Sequence, residues 1–144
     1  MKNSKIEKLY HIAIAVNDLE ATERLWQDSL GLKVVHREVV KEQGVRASML
    51  EPEDGGAAIE LLEPLGDDSP IAKFLEKRGE GIHHICFYVN DIASALERLK
   101  EQGVRLIDQE PRQGAHYAKV AFLHPKAMGG VLVELAEKEE KEKE

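Results

Sequence analysis

The sequence predicts an α+β fold of two βαβββ modules whose sheets curve together into an open, eight-stranded, barrel-like trough. The first observation behind this is an internal repeat. HIAIAVNDLE at 11–20 returns as HICFYVNDIA at 84–93, and MLEP at 49–52 returns as FLHP at 122–125, both offset by 73 residues. GGAAIELLE at 55–63 returns as GGVLVELAE at 129–137, offset by 74, so two repeats account for nearly all of the 144 residues. The second observation is the order of patterns inside each repeat: strand-like alternation, a helical stretch, then three further strand-like runs. The third is size, since a chain this short holds one compact domain or two halves sharing a core.

The elements follow in order. HIAIAV is a strand, and Asp18 to Leu30 is a helix opened by the Asn17-Asp18 pair, whose short side-chain oxygens cap orphan helix N–H groups. Gly31 stops it, as Gly103 stops the second helix. Ala21, Leu25 and Leu30, with Trp26 beside them, form the stripe expected to pack on the sheet, and Ile92, Ala95, Leu96 and Leu99 do so in the second helix. KVVHREVV, VRASML and AAIELLE supply the remaining strands of the first module. One domain over 1–136 is expected, with repeats at about 7–63 and 80–136. Residues 64–79 link them and hold a short helix starting near Ser69-Pro70, a serine cap followed by proline at the first helical position. EKEEKEKE at 137–144 has nothing to bury and reads as a charged tail.

Composition excludes several classes. A net charge of −7 argues against a nucleic-acid surface, which needs clustered Lys and Arg. No apolar run approaches the length of a membrane span. MKNSKIEKLYH lacks the apolar segment of a secretory signal, and the single cysteine, Cys86, allows no internal disulfide. A cytoplasmic location is expected.

Two polar positions recur inside apolar strands: His11 with His84, and Glu60 with Glu134. A lone histidine at a strand start is ordinarily a hydrogen-bonded or half-exposed residue, and a lone strand glutamate ordinarily faces water. Recurrence at matched positions points elsewhere. A carboxylate amid branched apolar residues costs on the order of several kcal/mol unless it is paired or coordinated. Two imidazoles and two carboxylates related by an approximate twofold would be satisfied together by one divalent cation. The register selects His84 over His83, because His83 pairs with Tyr10. His36, His116 and His124 have no histidine counterpart and default to surface or supporting roles, and Cys86, matching Ala13, reads as small core packing.

At these residues the chain resembles the vicinal-oxygen-chelate superfamily and, within it, the methylmalonyl-CoA epimerase family. HIAIAVNDLEAT is general to the superfamily, whereas ELLEPLGDDSPIAKFL, GIHHICFYV and FLHPK…GGVLVEL are specific to the epimerases, and the likeness covers roughly residues 7 to 136. It implies a divalent metal (Co, Mn, Ni, Zn or Mg) on His11, Glu60, His84 and Glu134, with Glu60 standing where some members have Gln. Two imidazoles and two carboxylates suit those ions, and the absence of thiolate removes the softer ones. It also implies a CoA thioester substrate, interconversion of (2R)- and (2S)-methylmalonyl-CoA through a metal-stabilised enolate, and a homodimer.

Glu134 is the expected base on one face of C2. Some bacterial members carry a second catalytic Glu three residues after the glycine of EQGV, where this chain has Ala47; Glu42 and His116 are the substitutes considered. Glyoxalase I, a lactoylglutathione lyase, shares the ligand plan, but the epimerase-specific stretches weigh against it. An extradiol dioxygenase would leave Glu60 surplus. A metal-free binding module needs an apolar or aromatic-lined trough and no ligand set, and the four intact polar positions and 5% aromatic content speak against it.

Overall fold

The computed structural model describes residues 4–114 and 118–138. Among them the order is β1 (Ile6–Ala15), α1 (Leu19–Leu30), β2 (Lys33–Val40), β3 (Val45–Glu51), β4 (Ala58–Pro64), α2 (Pro70–Arg78), β5 (Gly81–Val89), α3 (Ile92–Glu101), β6 (Arg112–Gln113), β7 (Lys119–Leu123) and β8 (Val133–Glu137). Short 3₁₀ turns at Lys41–Gln43 and Pro125–Ala127 join β2 to β3 and follow β7. The chain divides into two compact units: His11–His83, and the residues up to Tyr10 with those from His84 onward.

In the first unit the strand order is β2-β3-β4-β1. β1 and β4 run parallel with Ala13 opposite Glu60, and β3 is antiparallel to both β2 and β4. One face of this sheet buries Leu50 and Leu61 with Val16 and Leu19, and Trp26, Ile14 and Ile59 pack on them. Asp18 caps α1 by accepting from the Ala21 N–H at 3.0 Å, and Gly31 closes it at φ 72°, a left-handed conformation that suits glycine. The expected packing stripe of α1 is corrected in part. Leu25 and Leu30 are 61% and 64% exposed, and Ala21 is exposed as well. The helix instead buries Leu19 and Glu23, with Trp26 on the next turn. This stripe follows helical spacing, and a glutamate holds its middle because partners on the sheet receive it. Arg37 donates to the Glu23 carboxylate at 2.8 and 2.9 Å, and Ser48 donates at 2.5 Å.

In the second unit the order is β5-β8-β7-β6. α3 buries Ile92, Ala95 and Leu96 against Val89, Leu106, Ala121, Leu123, Val133 and Leu135, with Leu99 packed on them, as its apolar spacing predicts. The second strand of this module is reduced to Arg112–Gln113 plus a single bridge from Leu106 to Leu123. Pro111, which offers no N–H and restricts the residue before it, interrupts the run that forms an eight-residue strand in the first module.

Both modules anchor their helices with a distant carboxylate as well as the local cap. Glu63 at the end of β4 accepts from the Leu19 N–H at 2.9 Å, and Glu137 at the end of β8 accepts from the Ile92 N–H at 2.7 Å. Glu137, expected in the charged tail, is thus the last residue of β8; the rest of the expected tail, apart from Lys138, lies outside the described residues. Ser69 caps α2 by accepting from the Ile71 N–H, with Pro70 at the first helical position.

Candidate metal centre and its flanking face

Strand alternation decides where the recurrent polar residues point. On β4, Ile59 and Leu61 face the α1 core, so Glu60 faces the opposite side. On β1, Ile14 faces that core, as does Val16 just beyond the strand, which leaves His11 on the side of Glu60. The two meet, with His11 Nε2 3.2 Å from Glu60 Oε1, at 4% and 5% exposure. The second unit repeats the arrangement. His84 on β5 and Glu134 on β8 approach to 3.0 Å at 4% and 6% exposure.

The surroundings match as well. Ala13 stands opposite Glu60, as Cys86 stands opposite Glu134. On the other flank Glu60 pairs with Met49 and Glu134 with Phe122, whose ring meets the His84 imidazole edge-on at 5.2 Å. His83, in contrast, packs edge-on against Phe74 at 4.9 Å and is only partly buried. Cys86 lies in a small cluster with Ala118, Val120, Ala136 and Tyr10.

Each unit therefore presents one buried imidazole nitrogen against one buried carboxylate oxygen. Burial penalises an ionised carboxylate, and an imidazole partner offsets that penalty only in part. The donor set of nitrogen and hard oxygen without thiolate fits a divalent first-row ion or magnesium.

The residues expected to replace the missing carboxylate at 47 fare differently. Ala47 is buried and, two residues from Met49 on β3, lies on the Glu60 face. Glu42 is exposed in the 3₁₀ turn and lines a shallow groove with Lys41, Gly44, Leu65 and Ser69 beside the start of α2. His116 lies outside the described residues. His124 caps the second 3₁₀ turn, its Nδ1 accepting from the Lys126 N–H at 3.0 Å, and burial together with Arg105 and Lys126 lowers its pKa.

Two features escaped sequence reasoning. One is the Glu23–Arg37–Ser48 cluster, and the other is a pair on β2 in which His36 Nε2 and Glu38 Oε1 lie 2.6 Å apart. The pairing of β2 with β3 slips between Val34 and His36. Such a bulge moves every following side chain to the other face. His36 and Glu38 thereby stand opposite Met49 and Ala47, on the face that carries Glu60.

Residues 10–122 match the family described as Glyoxalase/Bleomycin resistance protein/Dioxygenase superfamily. An ethylmalonyl-CoA/methylmalonyl-CoA epimerase of Cereibacter sphaeroides is 48% identical over 132 residues, covering 90% of this chain and 97% of the relative. The crystal structure of methylmalonyl-CoA epimerase from Mycobacterium tuberculosis superposes with a TM-score of 0.93 at 40% identity, over 99% of this chain and 95% of that one. A methylmalonyl-CoA epimerase solved in complex with methylmalonyl-CoA and NH4+ gives a TM-score of 0.88 at 40% identity, over 94% and 97%. The two βαβββ modules and the matches over nearly the full length agree with the fold class expected from the repeat: the chain belongs to the methylmalonyl-CoA epimerase family of the Glyoxalase/Bleomycin resistance protein/Dioxygenase superfamily.

Proposed function

We propose that the chain interconverts (2R)- and (2S)-methylmalonyl-CoA, with His11, Glu60, His84 and Glu134 as ligands of one divalent cation. The single observation that carries the activity is its 48% identity, over 132 residues, to a curated epimerase. Two matched buried His–Glu pairs support the ligand set.

The chemistry required is removal of the proton at C2, which lies between a thioester and a carboxylate. When bound, the cation would supply Lewis-acid stabilisation of the negative charge that develops on the thioester oxygen, worth on the order of several kcal/mol. The protein's own residues do the rest. His11 and His84 would each offer Nε2, and Glu60 and Glu134 a carboxylate oxygen, to that cation. Glu134 takes or returns the C2 proton on one face of the enolate. The burial of all four groups keeps water from competing for the developing charge. A homodimer with one complete site per chain belongs to the same reading, and light scattering of the purified protein would report about twice the chain mass.

The test is isotope exchange. Each methylmalonyl-CoA epimer is incubated with the protein in deuterated buffer, and C2 is followed by NMR. Exchange and inversion are expected from both epimers. Inertness at C2 together with turnover of the methylglyoxal–glutathione hemithioacetal would replace the reading with a glyoxalase I activity.

A further inference from the structure

We propose that Glu38, hydrogen-bonded to His36, is the acid–base group on the second face of C2, standing in for the carboxylate that Ala47 lacks. The inference rests on the epimerase reading. Inversion requires proton removal from one face and return on the other, so a single carboxylate at Glu134 leaves the reaction half-equipped.

Strand register carries the assignment. Glu38 on β2 is directly opposite Ala47 on β3, and Ala47 is opposite Leu62 on β4. In the adjacent row His36, Met49 and Glu60 lie across the same three strands. Side chains of directly opposed residues share a face, with Cβ atoms roughly 5 Å apart. Glu38 thus stands one strand outward from buried position 47 and two strands from the Glu60 row on the same face, so its carboxylate would act on C2 across the Ala47 methyl through one water. Its side chain is 28% exposed and that of His36 is 33% exposed, which keeps both groups open to proton exchange with solvent. The pair also belongs to one module alone. The repeat counterparts of His36 and Glu38 are Gln109 and Pro111, as expected of a group needed on one face only.

The step balances with Glu38 as base and Glu134 as acid. The C2–H bond breaks, the proton passes to the Glu38 carboxylate, and the electron pair moves onto the thioester oxygen. The pair then returns to C2, which takes a proton from the protonated Glu134 carboxyl on the opposite face. The two carboxyl groups end with exchanged protonation. Water resets them, and His36, at 2.6 Å from Glu38, relays the proton on its side. The reverse direction exchanges the two roles.

Glu38→Gln separates the faces. In deuterated buffer the wild-type protein exchanges and inverts both epimers. The variant is expected to lose inversion by at least about 100-fold. The epimer whose C2 proton faces Glu134 should still exchange, with retention, while the other becomes inert. The double variant E38Q/A47E, which returns a carboxylate on the neighbouring strand, should recover inversion to within about tenfold of wild type. Glu38→Asp, which keeps a carboxylate but draws it back by one methylene, should slow the same epimer selectively and serves if Glu38→Gln weakens the fold. Inversion of both epimers by Glu38→Gln at the wild-type rate would overturn the assignment, as would equal loss of exchange from both epimers in Glu38→Gln and Glu38→Asp. A wild-type protein inert toward both epimers would instead remove the epimerase reading itself.

Discussion

Helices α1 and α3 occupy equivalent repeat positions, yet they cover their sheets with opposite chemistry. Where α3 sets Leu96 against Ala121, at 1% and 0% exposure, α1 sets Glu23 against Ser48, at 3% and 0%. Each pair is related to the other by the repeat offset of 73. The contrast extends to the strands. β2 is eight residues long and carries His36 and Glu38, whereas β6 is two residues long. What the modules share is narrower: a buried His–Glu pair and a carboxylate from the last strand on the helix N-terminus. The modules are alike in their buried His–Glu pair and their helix anchors and differ in the flanking strand and the helix–sheet packing.

The comparison breaks most visibly at the ligand pairs. In the proposed mechanism Glu134→Gln should lower epimerase activity by at least about 100-fold, because it removes the base on one face of C2. Glu60→Gln should cost about tenfold or less, since an amide oxygen still ligates and position 60 has no proton to move. Steady-state kinetics on both variants with a saturating divalent ion measures the difference, and equal losses would make the halves chemically equivalent.

A smaller effect is expected under α1. Glu23→Ala leaves the Ser48 hydroxyl buried without its acceptor and should destabilise the protein by about 1–2 kcal/mol. The double variant E23L/S48A copies the apolar pair beneath α3 and should be within about 1 kcal/mol of wild type, since replacing both partners avoids an orphaned polar group. Urea unfolding reads both, and a double variant less stable than Glu23→Ala would contradict the analogy.

The same cluster sets a pH dependence. The Arg37 guanidinium, and secondarily the Ser48 hydroxyl, hold the Glu23 carboxyl below the usual carboxylate range against the opposing effect of burial. A folded value below the unfolded one means that the contribution is complete above the ordinary carboxylate pKa, about 4.3, and is lost as pH falls through the folded value. The stability gap between wild type and Glu23→Ala should therefore be constant above about pH 5 and narrow as the pH falls below it. A gap that widens on acidification would refute the cause. The smallest effects belong to the helix anchors, where Glu63→Gln and Glu137→Gln should each cost about 0.5–1 kcal/mol. Similar values in thermal unfolding would show that the anchors serve the two modules alike, apart from the additional bond that Glu63 makes to Arg46.

Features decided within a few residues were legible in the sequence, as were features written twice. Asp18, Asp91, Ser69 and Gly31 act at helix ends through partners only a few residues away. The four residues now found as His11–Glu60 and His84–Glu134 stood out because the repeat marked them. Long-range decisions were not legible. Leu25 and Leu30 read as a packing face, yet α1 turns Glu23 inward because Arg37 and Ser48, 14 and 25 residues away, receive it. Glu38 was hidden by the bulge after Val34, since alternation along KVVHREVV cannot show that the faces exchange halfway.

If His11, Glu60, His84 and Glu134 hold one cation, as proposed, metal stoichiometry will show it. Protein stripped with a chelator is titrated with Mn²⁺ or Co²⁺ in a calorimeter, alongside His11→Ala and His84→Ala. The account predicts one ion per chain, with binding weakened by either substitution. Two ions per chain, each abolished by only one of the substitutions, would contradict it.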